Sequence, residues 1–309
     1  DSDTLSWLDG YEVHRLPCPP DGNFRIYETR TNQLWSLFSG GVTAYRRDQW
    51  IQYPLPDIRN ELLANPRYKI RPFPMIPGRS GRVLYVLPEK LVEYQPSVDN
   101  LRVVVASKDT HLGRLLDMTE ARDGGIWITG ARGMAKLPGP DRTWKNGVSI
   151  QEYIPPADLD LENLQQPFED DEGGVTVTAE SPTRKERLVA VFDGRQWKSI
   201  NTVSSKVRQA WRGPGDVIWA MGVDTLTRVE PDGNQVQEQE ALLAGQFFDA
   251  ATQPKGAFFL ATSEGLARYA PLPWRSPPTA ASGTVVHAIT EDARYGLWFA
   301  GAGALSRLV

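Results

Sequence analysis

The stretch Val285–Val309, VVHAITEDARYGLWFAGAGALSRLV, decides how the rest of the chain is read. Val285 to Ile289 is apolar and alternating, Glu291 to Gly296 is a charged turn, and Leu297-Trp298-Phe299 follows. Gly301 to Gly303 then leads into Leu305 to Val309. Short apolar runs separated by Gly-rich and polar turns are three consecutive strands of an antiparallel meander.

The same unit recurs along the whole chain. The position of Trp298 is matched by Trp35, Tyr85, Trp127, Thr176, Trp219 and Phe259, at steps of 50, 42, 49, 43, 40 and 39 residues. Seven residues beyond it stands an apolar residue (Val42, Met134, Leu226, Leu266, Leu305), and ten beyond it another (Tyr45, Leu137, Val229, Tyr269, Leu308). The second copy runs one residue short, with Leu91 and Tyr94. Thr176 departs by residue type, yet Gly124–Ala131 (GGIWITGA) overlies Gly173–Glu180 (GGVTVTAE), and an insertion at Ser181–Arg187 delays the next strand to Leu188–Phe192. A period of about 40 to 45 residues holding about four strands is the spacing of a β-propeller blade. The sequence therefore predicts an all-β, seven-bladed β-propeller, a single domain over residues 1–309. The seven-position aromatic series is expected to be packing, one large flat residue per sheet.

The last copy stops one strand short, whereas earlier ones end in an outer strand such as Asp48–Tyr53, Asp193–Ile200 or Asp232–Glu238. Asp9–Leu16 has the form of that missing strand. The expectation is a ring closed by the N-terminal strand completing the last blade, which removes the exposed sheet edges of an open array.

Composition narrows the function. A net charge of -4 argues against a nucleic-acid binder, which needs a basic face. One cysteine, Cys18, excludes an internal disulfide, and with three histidines a zinc cluster is not expected. No apolar run is long enough to span a membrane, and the start at DSDT reads as a processed mature protein or an excised domain. No nucleophile elbow, HExxH or phosphate loop is present, so neither catalytic residues, metal nor cofactor are expected. The carboxylates of Phe168–Gly174 lack the alternating oxygen spacing of an EF-hand and sit where the repeat has a hairpin turn.

Two connectors stand out. Pro54–Pro74 is long, with a helical turn at Ile58 to Ala64 and a basic, aromatic character from Arg59, Arg67, Tyr68 and Arg71; Pro271–Pro278 carries Trp274 and Arg275. Long loops on rigid scaffolds collect binding residues. Turns after the second strand and blade-to-blade connectors lie at the same end of the ring. Lys90, Arg132, Asp224 and Glu264 from the first group, with Arg67, Tyr68, Trp274 and Arg275 from the second, are the candidate ligand-binding residues of that face.

The motifs carry a family resemblance. His287–Asp292 with Gly296-Leu297-Trp298, Gly125–Thr129 with Arg132-Gly133-Met134, and Ser263–Tyr269 resemble the repeat of two-component regulator propellers. That resemblance implies a periplasmic or extracellular sensor module of a bacterial signalling receptor, non-catalytic, binding a small-molecule or glycan ligand, or a partner protein, on one face. Gly296–Phe299 and Arg228–Gly233 also resemble the seven-bladed virginiamycin B lyase family, which implies a histidine base, for which His287 is the candidate, and a magnesium site. A protein-interaction scaffold is the third class.

Overall fold

The computed structural model describes residues 4–9, 12–19, 25–29, 33–65, 68, 73–78, 81–139, 144, 148–200, 207–238, 242, 244–253, 256–270, 286–291, 297–301 and 304–308. The fold is an all-β propeller built from successive antiparallel sheets.

The first sheet is β3 (Tyr27–Glu28), β4 (Leu34–Phe38), β5 (Gly41–Arg46) and β6 (Gln49–Pro54), preceded by a hairpin of β1 (Thr4–Asp9) and β2 (Glu12–Pro17). Helix α1 (Pro56–Ala64) lies in the long connector, where a helical turn was expected. The second sheet is β7 (Met75–Pro77), β8 (Val83–Leu87), β9 (Lys90–Gln95) and β10 (Asn100–Ala106). The third is β11 (Leu115–Glu120), β12 (Ile126–Gly130), β13 (Met134–Leu137) and β14 (Gln151–Tyr153). The fourth is β15 (Glu162–Glu169), β16 (Val175–Ser181), β17 (Glu186–Phe192) and β18 (Trp197–Ile200). The fifth is β19 (Gln209–Arg212), β20 (Ile218–Met221), β21 (Leu226–Val229) and β22 (Gln235–Gln237). Two three-stranded sheets complete the chain: β23 (Phe247–Thr252), β24 (Phe258–Thr262) and β25 (Gly265–Tyr269), then β26 (Val286–Glu291), β27 (Leu297–Gly301) and β28 (Ala304–Leu308).

Local chemistry explains the repeat. Gly124 and Gly173 open equivalent turns at φ 79° and 86°, in the left-handed region that other residues avoid. In the third and fifth sheets the second strand is sandwiched between neighbouring sheets, so IWITG of β12 and IWAM of β20 are buried throughout. Apolar clusters fill the successive interfaces: Trp35 with Tyr85, Leu84 with Ile126, Trp127 with Val175, Val189 with Ile218, and Trp219 with Phe258. Each fully buried side chain of this size stabilises the stack by about 1.5 to 3 kcal/mol.

The recurring anchor is core at Trp35, Tyr85, Trp127, Thr176 and Trp219. In the sixth sheet it is Phe258, edge-on to Trp211 and Trp219, that is fully buried, while Phe259 is half-buried and Phe248 is 55% exposed. Strand alternation accounts for this, since consecutive residues face opposite sides of a sheet.

One expectation is corrected. The N-terminal segment does form a strand, but β2 pairs antiparallel with β1, from Thr4↔Pro17 to Asp9↔Glu12, as a sheet of its own, and the last sheet ends at β28. TLSWLD of β1 offers a strand next to β2 in the sequence, so local pairing closes a far shorter loop than joining the two ends of the chain. The hairpin is tied to the first sheet instead, where Trp50 Nε1 donates to the Pro17 carbonyl at 2.8 Å.

Candidate functional site: the axial cavity

Inner strands of six consecutive sheets converge on a cavity of about 290 Å³. Its polar lining is set by a fixed offset in the repeat. Ten residues before the anchor stand Arg25, Met75, Asp117, Gln166, Gln209 and Asp249, and all six line the cavity. Beta-bulges aim several of them: the ladder slips between Leu115 and Asp117 in β11 and between Phe247 and Asp249 in β23. A bulge inserts an unpaired residue and redirects the side chain beside it, a device common next to functional sites.

The two aspartates have the same local geometry. Asp117 Oδ1 accepts from the Met118 amide at 2.9 Å, and Asp249 Oδ1 accepts from the Ala250 amide at 2.9 Å. Their second oxygens differ. Asp117 Oδ2 accepts from the Gln166 amide at 3.0 Å, across to the fourth sheet, whereas Asp249 Oδ2 lies 3.3 Å from Arg25. Gln166 sits at φ 52° within a strand that slips register twice, and its Oε1 is buried without a hydrogen-bond partner among the described residues. Left-handed backbone at a residue other than glycine costs about 1 to 3 kcal/mol and clusters at ligand clamps.

Tyr27 donates to the Phe73 carbonyl at 2.5 Å. Burial pushes its phenol well above the usual range; nearby Arg25 opposes this, and Asp117 and Asp249 reinforce it, placing both carboxylates in the field of one hydroxyl. Gln209 Nε2 donates to the Ala250 carbonyl at 3.2 Å. Glu120, Arg208, Phe168 and Phe248 complete the functional lining.

A second cavity, of about 270 Å³, lies at the turns between first and second strands. Arg212 fills its polar side, paired with Asp170 at 2.9 Å, Glu172 at 3.4 Å and Asp216. Asp170 Oδ1 also accepts from the amides of Glu172 (2.9 Å) and Gly174 (2.8 Å), so the carboxylate run before Gly173 is a hairpin turn, as expected.

The rim residues read from the sequence fall elsewhere. Lys90, Arg132, Asp224 and Glu264 stand at the turns between second and third strands of sheets two, three, five and six. None of them lines the axial cavity. Lys90 is held by Asp57 of α1 at 2.7 Å, and Arg132, Asp224 and Glu264 are exposed. Tyr68, expected on the rim, is instead buried edge-on against Phe73, in the cluster that holds Trp35 and Tyr85. An aromatic ring in a long connector had an apolar seat available beneath it, and burial won over exposure. Arg67, Trp274 and Arg275 lie outside the described residues, as does the side chain of His287 in β26. Charged residues inside apolar inner strands, as in LLDMTE and FFDAAT, were the signal that could have revealed the cavity.

No protein-family profile matches the chain, and no curated protein does. Among solved structures, it is similar to the extracellular domain of the putative hybrid two component system BT4673 from B. thetaiotaomicron (TM-score 0.56, 15% identity, 99% of this chain and 42% of that one). It is also similar to that of BT3049 from the same organism (TM-score 0.52, 13% identity, 91% and 39%). The chain thus spans about two fifths of the length of those two. A catalytically inactive virginiamycin B lyase from Staphylococcus aureus with quinupristin gives a TM-score of 0.52 at 13% identity, over 89% of this chain and 90% of that one. At these identities the likeness establishes the propeller fold.

Proposed function

We propose that the chain is a non-catalytic, ligand-sensing propeller: one seven-bladed domain over residues 1–309, serving as the extracytoplasmic module of a bacterial signalling receptor. The observation that carries this reading is the axial cavity, walled by six inner strands and furnished at one repeated offset with charged and amide side chains. Concave sites with a few convergent polar groups are where small molecules bind. The likeness to two extracellular domains of hybrid two-component systems supports the signalling context. Among the described residues no helix is long and apolar enough to cross a membrane. The seventh blade is the sheet of β26 to β28, packing beside the sixth. Lys90, Arg132, Asp224 and Glu264 form the outer rim past which a ligand or partner protein approaches.

The test is a thermal-shift screen of small metabolites, repeated on Gln209→Leu and Arg132→Ala. A stabilising molecule whose effect is lost in Gln209→Leu supports axial binding, and one lost in Arg132→Ala supports the rim. A screen in which nothing shifts the melt overturns the sensor reading. The lyase alternative draws on the near-complete mutual coverage with the Staphylococcus aureus enzyme. Magnesium-dependent turnover of quinupristin that disappears in His287→Ala would establish it.

A further inference from the structure

Among the charged groups on the wall of the axial cavity, Arg208 stands apart. Arg25 pairs with Asp249 at 3.3 Å, and Asp117 and Glu120 have partners of their own. The side chain of Arg208 is half-buried, yet among the described residues it has neither a hydrogen bond nor an ion pair. A guanidinium is always charged and offers five N–H donors in a planar fork. Partial burial takes away some of the water those donors would bind, and no protein acceptor replaces it. An anion arriving there gains charge-assisted hydrogen bonds without first breaking an existing pair.

The backbone fixes Arg208 at the rim end of the cavity. Its amide donates to the Met221 carbonyl at 2.8 Å, where β20 ends and the turn carrying Asp224 begins. Eleven residues before the anchor, Arg208 of the fifth unit corresponds to Phe248 of the sixth. Phe248 lines the same cavity with much of its ring uncovered. The two inner strands are neighbours, since Gln209 Nε2 donates to the Ala250 carbonyl and the Phe247 amide donates to the Val223 carbonyl at 2.7 Å. An unpaired cation and an exposed phenyl ring therefore share one opening.

We propose that this opening binds a small organic monocarboxylate, with its two oxygens on the Arg208 fork and its apolar body against Phe248. The inference rests on the reading of the axial cavity as the ligand site and adds the chemical class of the ligand. One unmatched guanidinium suits a single negative charge held by two parallel hydrogen bonds. A phosphate dianion would bring a second charge to a wall that also carries Asp117, Glu120 and Asp249. A neutral sugar would leave the guanidinium without its counter-charge. The cavity, about 290 Å³, is at the small end of ligand pockets and favours a compact body.

The experiment is isothermal titration of the full chain at low ionic strength with phenylacetate, phenethyl alcohol and phenethylamine, which share one carbon skeleton and differ in the terminal group. Phenylacetate is expected to bind saturably and the other two not. Arg208→Gln keeps a donor and removes the charge, and should weaken phenylacetate by about tenfold, the difference between a charged and a neutral hydrogen bond. Phe248→Ala should weaken it several-fold through the lost apolar contact. Arg195→Gln, which changes an exposed arginine between β17 and β18, should leave it unchanged. Arg208 has no partner to lose, so its variant should melt like the wild type; if it does not fold, Phe248→Ala carries the comparison. Equal binding of the alcohol or the amine, undiminished binding in Arg208→Gln, an equal loss in Arg195→Gln, inorganic phosphate bound more tightly than phenylacetate, or no phenylacetate binding each overturns the proposal. A metabolite from the screen that requires Gln209 while phenylacetate fails would sink the carboxylate and leave the sensor reading standing.

Discussion

Asp170 is the carboxylate on which the turn between β15 and β16 hangs, and its removal is a sharp test of how the sheets are locked together. It is 6% exposed; one oxygen accepts the amides of Glu172 and Gly174, and the other is 2.9 Å from Arg212 of the fifth sheet. In Asp170→Ala the Glu172 amide can turn to water, but Gly174 is buried and keeps an unmet donor, at a cost of about 2 kcal/mol. Loss of the buried charge pair adds about 1 kcal/mol, moderated because Glu172 and Asp216 still neutralise Arg212. At about 2 to 4 °C per kcal/mol for a chain of this order, the melting temperature should fall by about 6 to 12 °C. Glu172→Ala removes a carboxylate that is 77% exposed and meets the same guanidinium at 3.4 Å; a pair of that kind contributes about 0 to 1 kcal/mol. Calorimetry of both variants beside the wild type decides the matter. Equal shifts in the two, or a fall below about 2 °C in Asp170→Ala, would refute the argument that buried amide acceptance outweighs surface pairing.

Other outcomes follow from the same geometry. Tyr68→Ala should cost about 3 kcal/mol as a large-to-small change in the first interface, whereas exposed Arg132→Ala should stay within about 0.5 kcal/mol; urea midpoints separate them. Burial, and then donation to Asp99 at 3.1 Å, push the Tyr94 phenol up to about 12, so its contribution is intact below the unfolded value near 10 and is lost as pH rises from there toward the folded one. The melting temperature should therefore decline in alkali, and less steeply in Tyr94→Phe. Gln166→Gly should be at least as stable as the wild type, by up to about 1 kcal/mol, since glycine takes φ 52° without strain and keeps the amide that reaches Asp117. A melt of that variant beside the wild type checks it, and a fall of more than about 1 kcal/mol would count against the argument from strain.

The propeller was legible because its constraint is periodic. A residue pressed between two sheets must be apolar, so Trp35, Trp127 and Trp219 recur and give the frame even where Thr176 substitutes. Closure was not legible: Glu12–Pro17 has the pattern of any half-exposed strand, and pattern alone does not choose between a distant edge and the neighbouring TLSWLD. The cavity was hidden for a related reason. Loop residues such as Arg132 and Glu264 attract notice because they are polar in turns, while Asp117 and Asp249 sit inside short apolar strands whose bulges leave no mark in the residue pattern. Tyr68 shows the converse, an aromatic residue in a loop that packing captured.

These two positions of the repeat divide labour by physical necessity. At the anchor both sides are occupied by neighbouring sheets, and a charge there would be desolvated without a partner, at a cost of several kcal/mol. Ten residues upstream the side chain meets the cavity, where no neighbour dictates its size or polarity, and Arg25, Met75, Asp117, Gln166, Gln209 and Asp249 differ accordingly. Exchanging residues at the upstream position should therefore change what is bound with little change in fold, while exchanging anchors should do the reverse. Swapping Asp117 with Gln209 exchanges the two residue types while leaving the channel's composition the same. If the ligand depends on arrangement around the ring, that double variant melts like the wild type and loses the response to any metabolite that stabilises the wild type; if it depends only on composition, the response survives and the argument from position fails.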